Sequence, residues 1–408
     1  MRAGVGVVTL IATWLGAATP ADAACVHVVG AKVWLPGGKA ADVEVVLDGE
    51  LIRDVGVGLT AVDCERVDAR GKVLTAGFVD AWSALGLMGI ELEPSTVDVE
   101  LKTPWQDDEG LVRAAARASL AFDPRSEPIR VARAGGVTSA LAVPRGGVIA
   151  GQAFWIDLAG ERAGAIRRDP AAMVAALRPH ATAANVLDVA LAEAAMWGRV
   201  RAERERMRHP GLRTPAVDLD ALQPVVAGTL PLAVAVDRAA DIEGLLALTA
   251  GTKVRPIVVG GAEAWLVRDA LAARGVPVVL DPLLNAPYGF DQLAAREDNA
   301  ALLHAAGVPI MLSAFNPHQA RKLRQLAGNA VRAGLPWEAA LVAISETPAR
   351  VLGLERHGRI AKGAIANVVL WSGDPFELDT RLERLWIHGV DIAPASRQSE
   401  LLRRYRSL

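Results

Sequence analysis

The chain has 408 residues, a formal net charge of −2 and 22% charged residues. A balance so close to neutral argues against nucleic acid or an anionic membrane surface as the partner. The length suffices for one barrel-sized domain and a smaller one. Although 52% of the residues are hydrophobic, no internal run of about 18 apolar residues is free of charge, so the pattern gives no membrane span beyond the N-terminus.

Residues 1–23 read as a cleaved export signal. Arg2 supplies the positive start, residues 5–18 the apolar stretch, and Ala21-Asp22-Ala23 the small residues at the cleavage point. The expected location is exported, periplasmic or secreted. Cys25 and Cys64, the two cysteines, then sit in an oxidising compartment, which makes a bond between them feasible.

Residues 26–29, 32–35, 43–47 and 51–57 are strand-like, with turns at Pro36-Gly37-Gly38 and Asp48-Gly49. Next comes GKVLTAGFVDAWSALGL, residues 71–87, a β-branched apolar run that ends in Asp80 and a Gly-punctuated loop. From there apolar runs recur at 137–143, 153–158, 232–236, 254–259, 276–280 and 309–312. Helical stretches lie between them at 108–121, 186–207, 241–249, 262–274, 291–306 and 318–333. Alternation of this kind implies parallel strands with right-handed crossovers, and continuously apolar strands imply burial on both faces. A (β/α)-barrel is the natural closure, with functional groups at the carboxyl ends of the strands; a doubly wound open sheet is the alternative. Residues 179–228 read as a charged helical insertion. Strand patterns return at 367–371 and 384–388.

Several stretches together carry a family resemblance. Besides residues 71–87 they are AVPRGGVIAGQAFWIDLAG (142–160), PLAVAVDRAADI (231–242), ISETPARVLGL (344–354) and residues 363–377. In this order and spacing they resemble the amidohydrolase superfamily, most nearly its imidazolonepropionase-like branch. The resemblance implies a TIM-like α/β barrel over 73–358 and a small β-sandwich built from both chain ends, 24–72 and 359–408.

It also implies a divalent-metal site, in which a Lewis acid activates water for attack on an amide-like carbon. Here the expected ligand positions are replaced. The two histidines of the first strand fall on Trp82 and Ala84, the lysine on Asp157, the later histidines on Ala235 and Gly260. The late aspartate falls within Ser313-Ala314-Phe315, which holds no carboxylate.

The remaining histidines offer no substitute set at metal-ligand spacing. His27, His388 and His357 belong to the small domain or its connection, His180 and His209 flank the insertion, and His304 lies in a helix. For these a solvent-facing or capping role is expected, and only His318 is placed to reach the barrel mouth. Asp80, Asp157, Asp237 and Asp281 all fall near predicted strand ends. They are read either as a shared carboxylate cluster, able to hold a hard cation or act as acid and base, or as separately paired groups, Asp237 with a neighbouring Arg and Asp80 with amides of its own loop. Asp157, Asp237 and Asp281 are the catalytic candidates, and Arg145, Trp82, Trp155 and His318 the binding candidates.

The resulting expectation is an exported, metal-free pseudoenzyme that acts in binding or assembly. Its partner would be a small molecule or a protein, an active relative or a second copy included. The alternative is a C–N bond hydrolase with a shifted or metal-independent site.

Overall fold

The computed structural model describes residues 25–100, 111–160, 162–178, 180–204 and 212–406. The export segment and His209 lie outside the described residues. Among those described, no helix is long and apolar enough to cross a membrane.

The run that begins at Val73 splits at Gly77. Val73–Ala76 joins a sheet of the small domain, and Phe78–Ser83 opens the barrel. Glycine is required at the junction because a Cβ there would meet the Thr138 side chain at 2.2 Å. The small domain consists of a four-stranded and a six-stranded sheet, and the six-stranded one combines strands from both chain ends, Val73–Ala76 pairing with Val368–Trp371. The inner faces of the two sheets share one core, with Val28, Leu47 and Ile52 from one and Leu74, Val368 and Trp386 from the other.

The barrel sheet has eight strands: β1 Phe78–Ser83, β2 Val137–Ala142, β3 Ile149–Asp157, β4 Ile166–Ala176, β5 Leu232–Val236, β6 Pro256–Gly260, β7 Val278–Leu280 and β8 Ile310–Leu312. They are hydrogen-bonded in sequence order. The sheet is nearly closed. Among the described residues no backbone ladder joins β8 to β1, and the β1 edge is satisfied instead by Val79 N–H donating to Ile344 O at 2.7 Å. Val79, Leu141, Trp155, Val174, Ile257 and Met311 belong to the cluster that fills the barrel interior. Alternate residues such as Phe78, Ala140 and Val258 pack outward beneath the helices, as the period of two requires.

Three features differ from the sequence expectation. First, β3 runs antiparallel to both β2 and β4, whereas the other neighbours pair in parallel. The cause is length. Only residues 143–148 link β2 to β3, and a parallel connection needs a dozen or more. Second, β4 is absent from the expected strands because it opens on the polar stretch IRRDP. Third, residues 111–121 are not α-helical. They lie along β3, with Arg113 N–H donating to Ile149 O and Gln152 N–H to Ala116 O, and end in a short 3-10 turn, Ala118–Ala121. The expected helical insertion is present as His180–Arg204, packed on a further helix, Ala216–Val226.

Cys25 and Cys64 form a disulfide that closes a span of 39 residues. Chain-entropy arithmetic for such a loop gives about 4 kcal/mol as the upper end of its contribution. Urea unfolding with and without reductant is expected to show a loss of stability up to that size.

Candidate functional site

At the carboxyl ends of β5, β6 and β7 the barrel opens into a pocket of ≈ 300 Å³. Its floor includes Ala235 and Gly260, its walls Trp82 and Phe315, and Tyr288 stands at its rim. Three charged side chains line it: Asp237 just beyond β5, Asp281 just beyond β7 and Arg178 two residues beyond β4.

Asp237 is buried and fully engaged. Its Oδ2 accepts from Arg178 Nη2 at 2.5 Å and from Gln292 Nε2 at 2.9 Å, and its Oδ1 accepts from Ala262 N–H at 3.3 Å. Arg178 also reaches Asp291, at 3.2 Å. Gly260 makes this arrangement feasible, since a Cβ at 260, where φ is +92°, would lie 2.5 Å from Asp237 Oδ1. Asp281 is different. Among the described residues its Oδ1 accepts only the Leu283 N–H, at 2.8 Å, and burial pushes its pKa above the usual carboxylate range.

Phe315 has a left-handed backbone, φ +54°, strained for a bulky residue. Its N–H donates to Ser313 Oγ at 3.1 Å, and its carbonyl accepts from Arg145 Nη2 at 3.3 Å. Arg145 therefore touches a residue of the pocket wall, but neither it nor His318 is among the pocket-lining residues.

The groups present do not fit a divalent metal. The expected ligand positions carry an indole, two methyl groups and a hydrogen atom, at Trp82, Ala84, Ala235 and Gly260. Of the two pocket carboxylates, Asp237 is already taken by Arg178, a cation that would repel a metal, and Asp281 alone makes no ligand set. Among the described residues no group of three or more His, Cys, Asp or Glu side chains is arranged to hold an ion.

The four aspartates do not form one cluster. Asp80 is fully buried beside the β1–β8 seam. Ser313 Oγ lies 2.5 Å from Asp80 Oδ1 and 2.7 Å from Trp82 O. A hydroxyl carries a single proton, so both contacts are satisfied together only when Asp80 is protonated and donates to Ser313, which donates onward to Trp82 O. Burial pushes the Asp80 pKa up to about 6, against the opposing hydrogen bonds from Ser313, Trp82 N–H and Ala314 N–H. Among the described residues its Oδ2 has no hydrogen-bond partner.

Asp157 lies at the opposite end of the barrel from the mouth, because β3 is antiparallel and its end pairs with the start of β2 (Asp157 with Ser139). Asp157 thus does not stand at the mouth where the resemblance placed a lysine; the strand that ends there is β4, followed by Arg178, which the sequence reading missed. Asp157 accepts four hydrogen bonds, from Ser139 Oγ (2.6 Å), Trp155 Nε1 (3.0 Å), His357 Nε2 (2.9 Å) and His388 Nε2 (2.7 Å). Burial alone would raise its pKa, but the two histidines more than reverse this and hold it well below the usual carboxylate range. Trp155 belongs to this buried network and not to the mouth. His357 and His388 are buried here, and His27 is buried against Glu44 at 2.9 Å, so none of the three is solvent-facing.

No known family profile matches the chain. Its fold is that of an amidohydrolase from Thermotoga maritima MSB8, with TM-score 0.80 and 26% identity over 90% of this chain and 99% of that one. The fold also matches a prolidase complexed with N-methylphosphonate-L-proline (TM-score 0.56, 16% identity, 90% of this chain and 99% of that one). A third match is molinate hydrolase (TM-score 0.58, 15% identity, 91% and 95%). A 58-residue stretch, 14% of this chain, is 38% identical to amidohydrolase tasK of Hapsidospora irregularis and spans 6% of that protein. The structural neighbours are thus members of the amidohydrolase superfamily, and the fold is their TIM-like barrel with an added β-sandwich.

Two predictions concern the buried acids. Asp157→Ala strands two imidazoles, an indole N–H and a hydroxyl, so it is expected to cost about 3–5 kcal/mol in urea unfolding at pH 7. Because the folded pKa of Asp157 is depressed, its contribution is present above about pH 4 and is lost as pH falls below that. Asp80 has the opposite sign. The folded state holds its proton more tightly than the unfolded chain, so this group lowers stability as pH rises from about 4 to 6, by about 3 kcal/mol in all. An amide at position 80 mimics the protonated acid, and unfolding of wild type and Asp80→Asn at pH 4 and pH 7 is expected to favour the variant by that increment at the higher pH.

Proposed function

We propose that this chain is a metal-free binding protein on an amidohydrolase scaffold, exported, and nearest in sequence to the imidazolonepropionase-like branch. The observation that carries the reading is Asp237 over Gly260. A position that would supply a metal-binding imidazole has no side chain, and the space its Cβ would take borders a carboxylate already paired with Arg178. Trp82, at another such position, forms a pocket wall. Removing the whole ligand set leaves no imidazole to hold the ion, whereas loss of one supporting partner already costs about 10–100-fold. What remains is a concave, mostly apolar pocket at the barrel end where ligands of this fold class bind. The Cys25–Cys64 disulfide supports an oxidising compartment.

A second reading, hydrolysis of a C–N bond without metal, rests on Asp281. Its raised pKa and its position in the pocket suit a general base. The two readings separate on purified protein dialysed against zinc and assayed on amide and lactam substrates. The binding reading expects no stoichiometric metal by elemental analysis and no hydrolysis. About one zinc, manganese or iron per chain would sink it, and hydrolysis that persists in chelator and disappears in Asp281→Ala would establish the second.

A further inference from the structure

The mouth pocket carries an electrostatic imbalance that its own residues do not resolve. Two carboxylates line it, Asp237 and Asp281, with one guanidinium, Arg178, which bonds to Asp237 and is drawn on by Asp291 outside the pocket. Among the pocket-lining residues that is 1 − 2, or −1, and Arg145 is held on the Phe315 carbonyl. The surplus falls on Asp281. Among the described residues no cation pairs with it, and the nearest basic residue of the adjoining cleft, Arg296, is drawn away by Asp298 and lies over the Trp265 ring at 4.6 Å. A half-buried carboxylate with one backbone hydrogen bond is undersolvated and unpartnered, and an incoming cation repairs both defects at once. The same pocket is lined by Trp82, Phe315 and Tyr288, aromatic rings of the kind that attract an organic cation and cover an apolar body.

We propose that the pocket binds a small organic cation, an amine or amidine on an apolar or aromatic body, with Asp281 as the counter-charge and the three aromatic side chains as walls. This inference rests on reading the mouth as a ligand site and adds the chemical class of the ligand. Carboxylates are disfavoured, because Arg178, the cation that would receive them, is already bridged to two aspartates. The volume of ≈ 300 Å³ sets the scale at a single ring with short substituents.

The test is titration calorimetry of the full chain with benzamidine, neutral benzamide and anionic benzoate, three near-isosteric probes. Wild type is expected to bind benzamidine at least tenfold more tightly than either of the others. Asp281→Asn is expected to erase that preference, and Asp281→Glu, which keeps the charge, to retain most of it, with circular dichroism confirming that both variants fold. Equal binding of the three probes, benzamidine binding unchanged in Asp281→Asn, or no binding of benzamidine at millimolar concentration would each overturn the proposal. Metal content and hydrolysis are measured on the same preparation. A metal-dependent hydrolase would overturn the binding-protein reading without altering the charge preference, so the two failures are distinguishable.

Discussion

The fold is organised around a buried carboxylate. Asp157 closes the inner end of β3, and its four donors come from β2, from β3 itself, from the connection before the last strands and from the turn between Leu382–Ile387 and Val390–Asp391. A carboxylate only accepts, so both histidines carry their proton on Nε2. That fixes their rings and, through His388, seats the C-terminal hairpin. Asn367 extends the link, accepting the His388 N–H at 2.8 Å and approaching Ser139 Oγ at 3.4 Å. A charge so deeply buried is tolerable only because every donor is present. The barrel and the sandwich are thereby held in one register by hydrogen bonds, beyond what apolar packing specifies.

The opposite end of the barrel is built by a different rule. There the seam between β8 and β1 lacks a ladder, and Ser313 bridges it to Asp80 and to the Trp82 carbonyl. The same serine holds Phe315 in its strained conformation, and Phe315 is a wall of the pocket. The protonation of one buried acid and the shape of the mouth are therefore connected through a single hydroxyl. Trp82 takes part twice, by its carbonyl in the seam and by its ring in the pocket.

Comparison with the expected metal site explains why the mouth looks as it does. Imidazoles converging on a metal need space and free lone pairs. Here the positions that the resemblance assigns to them carry Trp82, Ala84, Ala235 and Gly260, and Asp237 is paired with Arg178. Asp237 occupies the room that Gly260 leaves, and Arg178 neutralises it. The outcome is a pocket with aromatic walls and one acid, Asp281, that no cation pairs with among the described residues.

Much of this was legible in the residues. Short, fully apolar runs such as LAVAV and PIVVG, alternating with helical stretches, pointed to buried parallel strands, and strand patterns at both ends of the chain pointed to the composite small domain. The loss of imidazole at four positions is a matter of residue identity alone. Even the antiparallel β3 had a signal in the short Pro-Arg-Gly-Gly link, too short for a crossover. Other features had no local signal. His357 and His388 reach Asp157 across 200 and 231 residues. Asp80 meets Ser313 across 233, and Arg178 becomes a pocket residue only because β4, polar at its start, ends at the mouth. Period, turn chemistry and residue identity are properties of neighbouring residues, so the sequence alone determined the barrel, the sandwich and the absence of imidazole at positions 82, 84, 235 and 260. Which acids are buried, paired or left open depends on strand direction and barrel closure, and only the tertiary structure decided it.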